Sequence, residues 1–221
     1  KGLAASAIMT KVEDSLRRLQ TDHIDLYLSH RADPDTPIEE TLRAYETLLQ
    51  QGKVRAIGCS NYDAGQLRAA FTASSEKNLP RYDVLQPEYN LINRNGFEDA
   101  LRDLCITEDV GVITYYSLAS GFLSGKYRSK SDLGKSVRGQ RVSSYLDERG
   151  LRILDALQTV ADTHNAQMAE VALAWLLTRP GVTAPIASAT TVTQLDSLVR
   201  AVQLKLLATD IQLLDHASAS S

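Results

Sequence analysis

The sequence predicts an α/β fold built from parallel βα units. Three observations carry that expectation: short apolar runs alternate with amphipathic stretches five times along 221 residues, no hairpin signal joins successive runs, and no Ser/Gly- or Pro-rich linker divides the chain. With 43% apolar and 23% charged residues, the chain is long enough to bury one sizeable core and reads as a single domain over 1–221.

In "KGLAASAIMTKVEDSLRRLQ", Ile8, Val12, Leu16 and Leu19 recur at three- and four-residue spacing, which predicts a helix with one buried stripe. "IDLYL" follows as a strand. Thr36 before Pro37, at a plausible first helical position, opens the helix "TPIEETLRAYETLLQQGK", with acidic residues in its first turn and Gly52 just past its last. The alternation continues through strand "VRAIGCSN", helix "AGQLRAAFTASSEKN", strand "DVLQPEYN", helix "GFEDALRDLCITED" and strand "VGVITYYSL". It ends with helices over about 146–164 and 167–178, strand "TAPIASA" and a helix from about 192 to 203. Between these lies 124–145, "SGKYRSKSDLGKSVRGQRVSSY", which is basic, rich in Gly and Ser, and longer than an ordinary βα connection; it is expected to be a lid. A closed (β/α)8 barrel needs eight strands and typically about 250 residues. Five strands are legible, so three more are expected ahead of Lys1.

Net charge is −3 and the pI is near 5.8, which recommends no nucleic-acid partner, and no apolar run approaches the roughly 18 residues of a membrane span. Cys59 and Cys105 lie far apart with no C-x-x-C and no secretory leader ahead of them, so the chain reads as cytoplasmic. Walker A, G-x-G-x-x-G after a strand, H-E-x-x-H and G-x-S-x-G are all absent, as is metal-ligand spacing, so no metal is expected. Glu39 and Glu40, or Asp99 and Asp103, sit on helical patterns as solvated faces.

Side chains alternate within "HIDLYLSH", so Leu26, Leu28 and His30 share one face while Asp25, Tyr27 and Ser29 share the other. If Leu26 and Leu28 fill a barrel interior, His30 stands at the C-terminal mouth, where catalytic groups of such barrels lie; the plainer alternative is a strand-end histidine bonded to backbone. His23, His164 and His216 read as ordinary surface residues. Other strand ends are polar in the same way: Ser60 and Asn61, then Gln86, then Tyr115, Tyr116 and Ser117. Amides and hydroxyls can hold a carboxamide, and a tyrosine face can support a planar ring.

Four stretches in order, "SLRRLQTDHIDLYLSH", "PIEETLRAYETLLQQGKVRAIGCSN", "LQPEYNLINR" and "YYSLASGFLSGKYR", resemble the aldo-keto reductase superfamily. The resemblance is to the branch that includes bacterial general reductases and the β subunits of voltage-gated potassium channels, and it covers essentially the whole chain. It implies a (β/α)8 TIM barrel of which only strands 4 to 8 and their helices are present. It makes His30 the histidine of the family's Asp, Tyr, Lys, His tetrad, whose other members come from the second and third strands. Tyr27 is no substitute for the missing acid, because its parity points it toward the helices. Ser60, Asn61 and Gln86 would hold a nicotinamide carboxamide and Tyr115 would stack on its ring, with Tyr116 and Ser117 beside it. Leu118, Ala119, Ser120 and Gly121 would line the pyrophosphate, Lys126 in the lid would reach a phosphate, and Ser188, Ala189, Thr190 and Gln194 would meet the adenosine end. Positions that carry Gly, an acidic residue and Asn in this branch are here Ser188, Ser197 and Leu198.

The implied activity is reduction of a small-molecule aldehyde or ketone to an alcohol by NADPH, forming NADP, with NADH as the alternative because no Lys or Arg stands in "SATTVTQ" to pair a 2′-phosphate. A nucleotide-binding regulatory subunit and an inactive fragment of the same fold are the competing readings. Neither substrate identity nor oligomeric state is legible.

Overall fold

The computed structural model describes residues 2–135 and 139–219, with the Lys135 side chain set aside. Part of the expected lid, 136–138, lies outside the described residues. The chain gathers into two compact units: Lys1–Pro87 with Glu98–Val112, and Glu88–Phe97 with Ile113–Ser221.

The first unit runs α1 (Ala5–Leu19), β1 (Ile24–Ser29), α2 (Ile38–Gln50), β2 (Val54–Ser60), α3 (Ala64–Lys77), β3 (Val84–Gln86), α4 (Ala100–Thr107) and the start of β4 (Gly111–Thr114). Its strands are parallel, with Leu28 opposite Gly58, Gly58 opposite Val84, Ser60 opposite Gln86 and Val84 opposite Gly111. Gly58 stands where three strands crowd. A Cβ there would overlap the Val84 carbonyl oxygen on one side and the Leu28 side chain on the other.

Helix α1 forms as its stripe predicts, with Ile8, Val12 and Leu16 at 4%, 0% and 7% exposure, but Leu19 is 64% exposed. The correct angular position does not bury a residue at a helix end. Leu19 is the last helical residue, just before left-handed Gln20, and lies mostly in solvent. Helix α2 begins one residue later than the sequence suggests, with Pro37 as the flanking residue and Gly52 closing the exit at φ +69°. A capping box opens α3: the Asp63 carboxylate accepts from the Gln66 amide at 2.8 Å, and the Gln66 side chain accepts from the Asp63 amide at 3.1 Å. Strand β3 has only three residues rather than the longer run expected, because Pro87 has no N–H to continue the ladder. Helix α4 starts only at Ala100, after Asp99 at φ +69°.

The second unit holds the rest of β4, then α5 (Glu148–His164), α6 (Met168–Leu177), β5 (Val182–Pro185), α7 (Val192–Gln203) and α8 (Ala208–Ser218). The Ile186 amide donates to the Thr114 carbonyl at 2.7 Å, tying β5 to β4. The sheet order is therefore the sequence order, β1-β2-β3-β4-β5. Helix α6 is buried from Met168 through Leu176 apart from Ala169, as an apolar-all-round helix must be.

Helix α8 was not expected. Its buried residues are Asp210, Leu214, Ala217 and Ser218, and its closing carbonyls are satisfied from afar: Arg152 donates to Ala217 at 3.2 Å and Arg149 to Ser218 at 2.5 Å. His164, expected on the surface, is half-buried instead, its Nε2 2.7 Å from the Asp210 carboxylate. The described part of 124–145 is built of 3-10 turns, with Tyr127 and Val142 fully buried as anchors. Among the described residues, no helix is long and apolar enough to cross a membrane.

Candidate active site

In the first unit, the ends of β1, β2 and β3 form one hydrogen-bonded set. The Asn61 side-chain amide donates to the His30 carbonyl at 2.9 Å and to Ser60 Oγ at 3.1 Å. Ser60 Oγ in turn donates to the Gln86 carbonyl at 2.7 Å, as the Asn61 backbone N–H does at 3.4 Å. Asn61 sits at φ +58°, a conformation Asn tolerates better than most residues. Ser60 is buried, Gln86 is half-buried, and neither the Gln86 side-chain amide nor the His30 ring makes a hydrogen bond among the described residues. His30 is exposed. Its main chain is fixed while its imidazole is left available.

The parity argument holds on the opposite face of β1. Ser29 is buried, with Oγ 2.8 Å from Tyr45 OH and 3.0 Å from Tyr82 OH, and Tyr27 packs edge-on against Tyr45 at 6.1 Å. This hydroxyl cluster was not anticipated. Only the placement of Ser29 on the helix-facing side of the strand hinted at it.

In the second unit, β4 ends in Tyr115 and Tyr116, rings 5.1 Å apart and 61° inclined. Tyr115 is half-buried and Tyr116 is 48% exposed. Tyr116 is held at φ +53° by Asn90, whose amide donates to its carbonyl at 3.0 Å while Asn90 Oδ1 accepts from the Ile92 and Asn93 amides. Asn90 is a supporting residue that sequence reasoning missed; a polar side chain between Tyr89 and Leu91 was the available signal. The Ser117 hydroxyl donates to the Ile186 carbonyl at 2.8 Å, which ties the two strand ends and leaves its oxygen as an acceptor.

The run that follows is tightly wound, with Ala119, Ser120 and Gly121 at φ +46°, +58° and +91°. Among the described residues, the backbone N–H groups of Leu118 and Ser120 find no acceptor. Lys126 lies over this turn: a Cβ at Gly121 would stand 3.1 Å from its Nζ. Backbone N–H groups without an internal acceptor, beside an ammonium, suit a phosphate.

Past β5, Ser188 and Thr190 are exposed and Ala189 half-buried. Gln194 Oε1 accepts from the Thr190 amide at 2.8 Å and hydroxyl at 3.1 Å, which shapes the turn into α7. Ser197 points elsewhere, donating to Glu170 at 2.8 Å.

Parallel βα units with a histidine, amides and tyrosines at strand C-terminal ends follow the pattern of barrel-type α/β folds. The aldo/keto reductase family pattern matches residues 1–219, and the chain belongs to that family. It is 33% identical over 218 residues to a probable voltage-gated potassium channel subunit beta of Arabidopsis thaliana, covering 96% of this chain and 66% of that protein. It is 35% identical over 209 residues to the uncharacterized oxidoreductase YrpG of Bacillus subtilis (93% and 62%), and 32% identical over 201 residues to the L-glyceraldehyde 3-phosphate reductase of Escherichia coli K12 (88% and 58%). A crystal structure of the thermostable aldo-keto reductase Tm1743 with the inhibitor epalrestat shares the fold at a TM-score of 0.76 and 30% identity, covering 97% of this chain and 67% of that one. The chain thus spans somewhat less than two thirds of the length of these curated relatives.

Proposed function

We propose that the whole protein reduces a small aldehyde or ketone to an alcohol with a nicotinamide dinucleotide, NADPH ahead of NADH, in the cytoplasm. The observation that carries this reading is His30: its backbone is clamped by Asn61, yet its exposed ring has no hydrogen bond among the described residues. An imidazole held in that way is open to a ligand oxygen. The chain is then a single reductase domain with 124–145 as cofactor lid, an assignment supported by the family match over 1–219. Its unpaired, buried thiols, Cys59 and Cys105, suit a reducing compartment.

Taken unit by unit, the residues present suit separate parts of a dinucleotide. The Gln86 side-chain amide is offered to the carboxamide beside Ser60, where Asn61 gives its amide hydrogens to the His30 carbonyl and Ser60 Oγ and so shapes the subsite. The Tyr115 face takes the ring. Leu118 through Gly121, with Lys126, receive the pyrophosphate, and Ser188 to Thr190 with Gln194 meet the adenosine end. Once bound, a reduced nicotinamide supplies the hydride. His30 orients the substrate oxygen through a ring nitrogen, so that charge develops where a donor already stands. Tyr27 is not the proton donor, since it packs on Tyr45.

The potassium-channel relative favours a second reading, a regulatory subunit that binds the nucleotide without useful turnover. Mixing the whole protein with an aromatic aldehyde and NADPH separates the two. Steady NADPH oxidation supports the reductase, tight binding without oxidation supports the regulatory subunit, and absence of both refutes the site.

A further inference from the structure

The loop that leaves His30, with the first turns of α2 and α3, lines an open cavity of about 320 Å³ in the first unit. We propose that this cavity binds a small neutral molecule with an apolar body and one group that both donates and accepts a hydrogen bond, a hydroxyl or a carboxamide.

The walls set the apolar part. Leu3, Pro34, Ile38 and Ala69 line the cavity, and Asp33 is its one charged lining residue. Asp33 Oδ2 accepts from the Leu3 amide at 2.7 Å and the Thr36 hydroxyl at 2.8 Å, and Oδ1 accepts from the Asp35 amide at 3.2 Å. These donors keep the carboxyl below its ordinary range, so it is ionised at neutral pH. A carboxylate offers about four lone-pair sites. Three donors leave Oδ1 able to accept one more, and the negative charge turns anions away.

Proton counting supplies the other half. Tyr45 OH, Ser29 Oγ, Tyr82 OH and Tyr62 OH form a chain of 2.8, 3.0 and 3.3 Å hydrogen bonds. Four O–H groups share three bonds, so one donor is left over; on Ser29 or Tyr82, 1% and 0% exposed, it would be buried without an acceptor, which leaves the two ends. If the protons run from Tyr62 toward Tyr45, the spare O–H belongs to Tyr45, which is 1% exposed, and an unsatisfied buried donor is costly. If they run the other way, the spare O–H belongs to Tyr62, which lines the cavity. The second order is the stable one, and it leaves the spare donor on the one member of the chain that lines the cavity together with Asp33.

The test titrates the protein with benzyl alcohol and, separately, with benzoate, following the backbone amides of Ala32, Asp33, Asp35 and Thr36 by NMR. Benzyl alcohol should shift these amides saturably and benzoate should not. Ala69→Trp, a filling substitution at an exposed helix position, should abolish the alcohol response. Tyr62→Phe should weaken it about tenfold, the worth of one hydrogen bond. Absence of saturation, equal binding of benzoate, or binding unchanged by Ala69→Trp would each overturn the proposal. The readout needs no cofactor and no turnover, so it stands apart from the reductase reading.

Discussion

The Asn61 side-chain amide donates to the His30 main-chain carbonyl at 2.9 Å, joining the end of β2 to the end of β1. One residue thus fixes the position from which the imidazole projects. Because Asn61 sits at φ +58°, it also carries a conformation that most side chains resist.

These two contributions separate by substitution. Asn61→Gly keeps the conformation and loses the hydrogen bonds, at a cost of about 1 kcal/mol; Asn61→Ala adds backbone strain and costs about 1 kcal/mol more. Urea unfolding of both variants measures the difference, and equal midpoints would show that the left-handed backbone carries no strain.

His30→Ala in the whole protein should lower kcat/KM by about 10²-fold or more, within the range for a positioned polar group. NADPH affinity should hold, since the cofactor contacts come from other residues. Normal turnover with reduced stability would make His30 a structural strand end.

Tyr82→Phe removes the hydroxyl that joins Ser29 to Tyr62 and should cost about 1–2 kcal/mol by calorimetry. Burial pushes the Tyr82 hydroxyl well above the ordinary tyrosine range. A raised folded value means that its stabilising effect is intact below about pH 10, where unfolded tyrosine titrates, and is lost above it. Alkaline unfolding should therefore be less steep in Tyr82→Phe than in the parent.

Buried Glu170 accepts from Arg200 at 2.7 and 3.0 Å and from Ser197 at 2.8 Å. Burial pushes its carboxyl up, but the Arg200 and Ser197 hydrogen bonds outweigh burial and hold it below the ordinary range. A depressed folded value gives stability above about pH 4.3 that is lost as pH falls. Arg200→Met should raise the acid-unfolding midpoint. Its cost at neutral pH should stay near 1–2 kcal/mol, because the guanidinium is half-exposed.

If 124–145 closes over a dinucleotide, limited proteolysis within it should slow when NADPH is added. Equal cleavage rates with and without NADPH would remove the lid assignment.

The βα alternation was legible because each helix stripe and each strand run is a local pattern, as in Ile8, Val12 and Leu16. The end of α1 was not, since covering Leu19 depends on a neighbour. Helix α8 escaped because its buried face includes Asp210, Ala217 and Ser218, which give little apolar signal, and because its closing carbonyls are met by arginines about 65–69 residues away. Strand parity put His30 and Ser29 on opposite faces of β1. It could not reveal that Asn61 holds the His30 carbonyl, or that Ser29 meets Tyr45 and Tyr82, because those partners are set by strand register across long separations.

Gly58, wedged between Leu28 and the Val84 carbonyl, has a consequence for genetics. In a saturation screen scored by activity, nearly every codon change at 58 will look as damaging as one at 30, although Gly58 touches no reactant. An abundance score run alongside separates them: position 58 should lose soluble protein in step with activity, whereas position 30 should lose activity at full abundance.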